Sequence, residues 1–362
     1  MRITRHHHAH RLVAAATYAA IVTGAAAGIL HAAPGGKDDK PAKGPAPLVW
    51  PLPPDKPRVK FLATYHGAAD FNAKKPGRWK TALLGNSPDQ GPSDTFVKPY
   101  AVAVAPSGLV YVSDTVARRV FVIDREKRKL SFIGDRGNAT LTKPVGIAVD
   151  GVGTVWVADA TLKRVLAYAP DGTFTTAIGK EGDFDTPSGL AVDRSRKVLY
   201  VVDASRHQVI AFSLVDGTRL RTIGRRGGET GEFNFPTNVA VDALGRLYVA
   251  DTLNFRVQVF DEHGAFVRMF GTLGDAPGTF NRPKGIAVDS EGHIYVADTA
   301  FDNFQIFDSE GQLLLFVGHG GADSGQFLLP AGLFIDERDQ IFVADQGNSR
   351  VQVFQYLRGD AK

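Results

Sequence analysis

The sequence predicts an all-β fold, a six-bladed β-propeller of four-stranded antiparallel blades, on three observations. One phrase recurs along the chain: VSDTVARRVFVI at 112–123, VADATLKRVLAY at 157–168, VADTLNFRVQVF at 249–260 and VADQGNSRVQVF at 343–354. Prolines at 99, 144, 187, 236, 283 and 330 open successive copies at intervals of 45, 43, 49, 47 and 47 residues, a period that suits propeller blades. Each copy holds only short apolar runs with Gly and Pro between them, which argues for strands over paired helices.

The first 33 residues read as a signal peptide or an N-terminal anchor. Arg2, Arg5 and Arg11 precede an uncharged, Ala-rich run at 12–30 and small residues through Ala33. That run is marginal for a membrane span, so contact with a membrane is expected only through an uncleaved leader. The expected location is periplasmic or extracellular. His6, His7, His8 and His10 fall within this leader, which removes them from consideration as metal ligands in the mature chain. With no cysteine, disulfides and thiolate catalysis are excluded. Removing the three leader arginines from 42 basic residues leaves 39 against 38 acidic ones. Nucleic-acid binding calls for a basic excess or stripe, and none is present.

Residues 34–57 carry eight prolines in 24 positions and read as an extended, Pro-rich linker. The propeller is expected over 58–358. Its last copy supplies three strands, ending near Tyr356, so residues 58–67 are expected to add the outer strand that closes the sixth blade and covers its edge. Residues 72–97 form the one irregular insertion, with a short helix expected at 78–84 that packs as a lid on the propeller surface, a partner-docking helix being the alternative.

Within the fifth copy, 285–288 and 294–297 are apolar at nearly every position, as strands covered on both faces require. The third run, 304–307, is more mixed, and its counterpart 256–260 alternates, which predicts exposure rising outward from the hub. The turns at 289–292 and 308–311 place Asp where its carboxylate accepts turn amides and Gly where φ is positive.

The pattern Pro-x-Gly-Ile/Val-Ala-Val-Asp, then Gly-x-Leu/Ile-Tyr-Val-Ala-Asp, then Asn-x-Arg-Val-Gln-Val-Phe resembles the NHL repeat across 99–356, and the approach WPLPPDKPRVKFL resembles that of exported bacterial six-bladed members. The resemblance implies a propeller used mostly as a binding platform, with a minority of enzymes.

Asp114, Asp159, Asp203, Asp251, Asp298 and Asp345 end the second strand of every copy. Six carboxylates around one axis suggest a metal site, but a residue present in all six blades serves the blade, so each is expected to accept amides of the following loop. Arg119, Arg164, Arg256 and Arg350, five residues later, are expected to brace that loop. Copies three and five carry Gln208 and Asn303 there instead, which makes their loops candidates for specificity.

Strand direction puts the Asp-x-x-Gly turns on one face and the longer, more variable loops on the other, and the second face is the expected binding surface. Near the channel mouth on that face, Tyr100, Asn238 and Lys284 are the polar ligand-binding candidates, joined by His207, Arg225 and Arg226. No catalytic or metal-ligating residue is assigned.

The NHL-like amidating lyases need several histidines on zinc, whereas His66, His207 and His319 sit in different loop types and His263 and His293 belong to turns on the opposite face. The lactone hydrolases hold a divalent ion through an acidic residue and asparagines, and only Asn238 stands in a comparable place. The expectation is therefore a monomeric, non-catalytic scaffold for an unidentified envelope protein or small ligand, with no cofactor assigned. The alternative is a lyase or lactone hydrolase with a divalent cation in the channel.

Overall fold

The computed structural model describes residues 47–71, 94–137, 139–180 and 182–358. Each copy folds as one antiparallel sheet, giving blades 1 to 6 at 99–133, 144–178, 187–223, 236–270, 283–317 and 330–356. The inner strands line the hub, and each packs on those of its two neighbouring blades, including blade 6 on blade 1. The ring is closed.

Residues 59–65 close it. Strand Val59–Tyr65 pairs antiparallel with the last strand, Arg350–Tyr356, from Val59 opposite Tyr356 to Tyr65 opposite Val351. Phe61 stacks edge-on against Phe354 at 5.6 Å. The expected linker is partly structured: Val49–Trp50 pairs with Val59 and Lys60 as a fifth strand, and Trp50 also packs on Phe354 at 5.6 Å. The prolines around these two residues conceal them in the sequence, yet a buried Val and a half-buried Trp give this segment apolar surface to dock. Residues 1–46, the expected helix at 78–84 and most of the 72–97 insertion lie outside the described residues. The insertion's last residues belong to blade 1, where Phe96 is buried against Phe121 at 4.8 Å and Gly67 bridges to Thr95.

The expected outward rise in exposure starts one strand later than the sequence suggests. Third strands such as Arg256–Phe260 are buried at every position, and it is fourth strands such as Leu313–Val317 that alternate. The polar residues of the third strand are inside because they bond to loops, as described below. At the hub the inner strands approach so closely that a Cβ on Gly332 would lie 2.4 Å from the Tyr100 carbonyl oxygen. Only glycine fits there.

Candidate functional site

The repeated aspartates are fully buried and each spans two segments of its own blade. The Oδ2 of Asp114 accepts the amides of Val97 and Lys98, just before the inner strand, while Oδ1 accepts those of Val116 and Ala117 in the following loop. Asp159 does the same with Thr142, Lys143, Thr161 and Leu162. A carboxylate saturated by four amides has no lone pair left for an ion.

Blades 4 and 6 use the carboxylate differently. Asp251 takes only the Asn234 amide before its inner strand, and its Oδ2 accepts Asn254 Nδ2, Arg256 Nε at 2.9 Å and Gln258 Nε2. Asp345 repeats the set with Leu328, Asn348, Arg350 and Gln352. Arg256 also donates to the Glu229 and Glu232 carbonyls, and Arg350 to those of Ala322, Asp323 and Gln326, so these arginines brace the interblade loop. Arg164 bonds the Gly179 carbonyl, while Arg119 lies 4.5 Å over the Phe132 ring.

This arrangement leaves the amide just before Pro236 and Pro330 without the aspartate, and the preceding blade supplies its acceptor. His207 Nδ1 accepts the Phe235 amide at 3.1 Å, and Asp302 accepts that of Leu329 at 2.7 Å. His207 is buried and also meets the Phe235 ring edge-on at 4.7 Å. Blades 3 and 5, which lack the Arg, therefore use their loops to clamp the next blade.

The other sequence candidates are dispersed over the loop face. Arg225 pairs with Glu232 inside its own loop at 2.9 Å, and Arg226 is exposed. The Asn238 Oδ1 accepts the Val239 amide, and the side chain fills the space beside Gly189. Tyr100 and Lys284 do meet: the ammonium lies 5.1 Å from the ring centroid, and the ring packs against hub residues of blades 1 to 3. Burial pushes the Tyr100 hydroxyl up, while burial and then the charges of Arg282 and Lys98 bring the Lys284 ammonium down.

Comparison with known proteins identifies the repeat. The NHL repeat family matches residues 233–260, 280–307 and 327–354, which are blades 4, 5 and 6 through their third strands. The chain carries NHL repeats within a six-bladed β-propeller. NHL repeat-containing protein 3 of Mus musculus is 37% identical over 93 residues, 23% of this chain and 26% of that protein, so the match spans about a quarter of the relative's length. Among solved structures, a streptogramin B lyase superposes with a TM-score of 0.56 at 12% identity, covering 72% of this chain and 94% of its own. A gluconolactonase from Xanthomonas campestris superposes at 0.57 with 18% identity, covering 82% and 98%. An auxiliary nutrient binding protein from Bacteroides thetaiotaomicron gives 0.57 at 15%, covering 74% and 71%. These likenesses show a shared fold.

Sequence reasoning passed over the NHL glutamines. Gln258, Gln305 and Gln352 are buried at 0%, 1% and 0% exposure, and each accepts one loop amide and donates to one loop carbonyl: Gly231 and Glu232, Gly278 and Thr279, Gly325 and Gln326. A polar residue repeated in the middle of an apolar strand was the available signal. It also passed over a cavity of about 530 Å³ in the hub of this NHL propeller, which opens on the turn face, opposite the expected binding surface.

Proposed function

We propose that this NHL propeller is an exported scaffold that holds a protein partner on its loop face and catalyses no reaction itself. The observation that carries this reading is the pair Phe235 and Leu329. Both have left-handed backbones, with φ 49° and 53°. Both are exposed, at 42% and 44%. A left-handed conformation costs a large L-residue about 1–2 kcal/mol, and leaving two-fifths of such a side chain in water forgoes roughly 1 kcal/mol of burial. Stability alone would favour Gly or Asn at these positions. Leu253 and Leu328, exposed at 43% each, stand in the same two blades, so apolar anchors are available for a partner.

Export is supported by the basic start and apolar run of the leader. The metal-dependent lyase or lactone hydrolase has less support. Among the described residues no three His, Cys, Asp or Glu side chains come together as an ion site. The Nδ1 of His207 is committed to the Phe235 amide.

Photo-crosslinking in intact envelopes tests the scaffold. With benzoylphenylalanine at 235 or 329, one discrete adduct is expected; at 152 or 244, exposed on the turn face, none is expected. Adducts from the turn face alone, or from no position, would overturn the reading.

A further inference from the structure

The hub cavity carries a site of its own, distinct from the loop-face surface. Its wall is a ring contributed by all six blades at the same place, five residues after each inner-strand proline: Val104, Val149, Val192, Val241, Val288 and Ile335. The side chains of such a wall offer contact area and no hydrogen bonds. The cavity is of the size that takes small-molecule ligands, about 300–1,000 Å³.

Its mouth is polar. Two residues further along each copy, the six positions are Pro106, Gly151, Arg194, Ala243, Ser290 and Glu337. The two charged ones lie in blades 3 and 6, which face each other across the ring, and Arg194 Nη1 reaches Glu337 Oε1 at 2.6 Å. This ion pair bars the cavity.

The lining holds three arginines and four carboxylates, but two of the carboxylates have arginines of their own just outside it. Asp193 is held by Ser195 and Arg196, and Asp242 by Arg246 and Tyr248, so each has its own arginine. That leaves Arg125, Arg194 and Arg338 at the rim against Asp336 and Glu337, and Asp336 already accepts two turn amides. The Glu337 side chain is 73% exposed, and pairs of this kind contribute roughly 0–1 kcal/mol. An incoming carboxylate can take its place on Arg194 at small cost.

We infer that the hub cavity binds a small molecule with one carboxylate and an apolar body, the carboxylate on Arg194 in place of Glu337 and the body within the aliphatic ring. The loop-face surface and this site are on opposite faces and fail or stand separately.

Titration calorimetry on the full propeller tests it with decanoate as the probe, and with acetate and decan-1-ol as head-only and body-only controls. Decanoate is expected to bind at one site, and both controls more weakly by about tenfold or more, since each lacks one half of the recognition. Arg194→Gln, at an exposed turn and with its fold checked by thermal melting, should weaken decanoate by about tenfold or more and leave decan-1-ol unchanged. Glu337→Gln should bind decanoate as tightly as the wild type or tighter, because the competing carboxylate is gone. No binding of decanoate at millimolar concentration, equal binding of decan-1-ol, or an Arg194→Gln variant that binds decanoate like the wild type would overturn the inference. A lower melting temperature in that variant with unchanged binding would make the ion pair a structural clasp only.

Discussion

His207 Nδ1 accepts the Phe235 amide across the seam between blades 3 and 4, at 3.1 Å, and so does for blade 4 what Asp302 does for blade 6. Replacing His207 by Ala leaves a partly buried amide without its acceptor and removes an edge-on ring contact. The expected cost is about 2 kcal/mol. His207→Asn should recover part of it, since Asn tolerates the left-handed φ of 55° and presents a carbonyl oxygen in the manner of Asp302. Urea midpoints of the two variants check this, and equal losses would mean that the acceptor is immaterial.

The aspartates should differ in their weight. Asp251→Asn leaves Arg256, with a side chain only 9% exposed, without a counter-charge, a loss of about 3–5 kcal/mol. Asp298→Asn weakens bonds from the amides of Asn281, Arg282 and Ala300 but strands no arginine, at about 1–3 kcal/mol. The order of the two denaturation midpoints is the readout. Equal losses would remove the distinction drawn between the two kinds of blade.

One histidine gives a pH dependence. His293 Nδ1 lies 2.9 Å from Asp289 Oδ2, and that hydrogen bond, with the Asp289 charge beside it, holds the imidazole above its usual value despite partial burial. A raised folded-state pKa means that the stabilisation is complete below the unfolded value of about 6.5 and fades as pH rises through the folded value. The wild type should therefore exceed His293→Gln in urea midpoint at pH 5.5 by more than at pH 9. A gap that widens toward pH 9 would reverse the assignment.

Much of the ring was legible because its signals are local: the proline period, the Asp-x-x-Gly turns and two apolar runs per copy follow from backbone rules alone. Closure by 59–65 followed from counting strands in the last copy. The strand Val49–Trp50 was hidden by prolines, which report backbone preference and not whether the residues between them dock. The sharing of one carboxylate by Asn254, Arg256 and Gln258 was not visible, because residues on alternate positions of a strand read as exposed until the interblade loop is known to cover them. His207 carried no sign that its acceptor role lay in the next blade. The Arg194–Glu337 contact joins residues 143 apart, and only aligning the copies at that position shows opposite charges in opposite blades.

Ring closure by the N-terminal strand underlies the sorting of loops into faces, and amide hydrogen exchange of the last strand, Arg350–Tyr356, tests it most directly. In a chain lacking residues 47–67 that strand should lose protection and the melting temperature should fall by several degrees or more, and a peptide spanning 47–67 added in trans should restore both. Protection and melting temperature unchanged by the deletion would contradict the account.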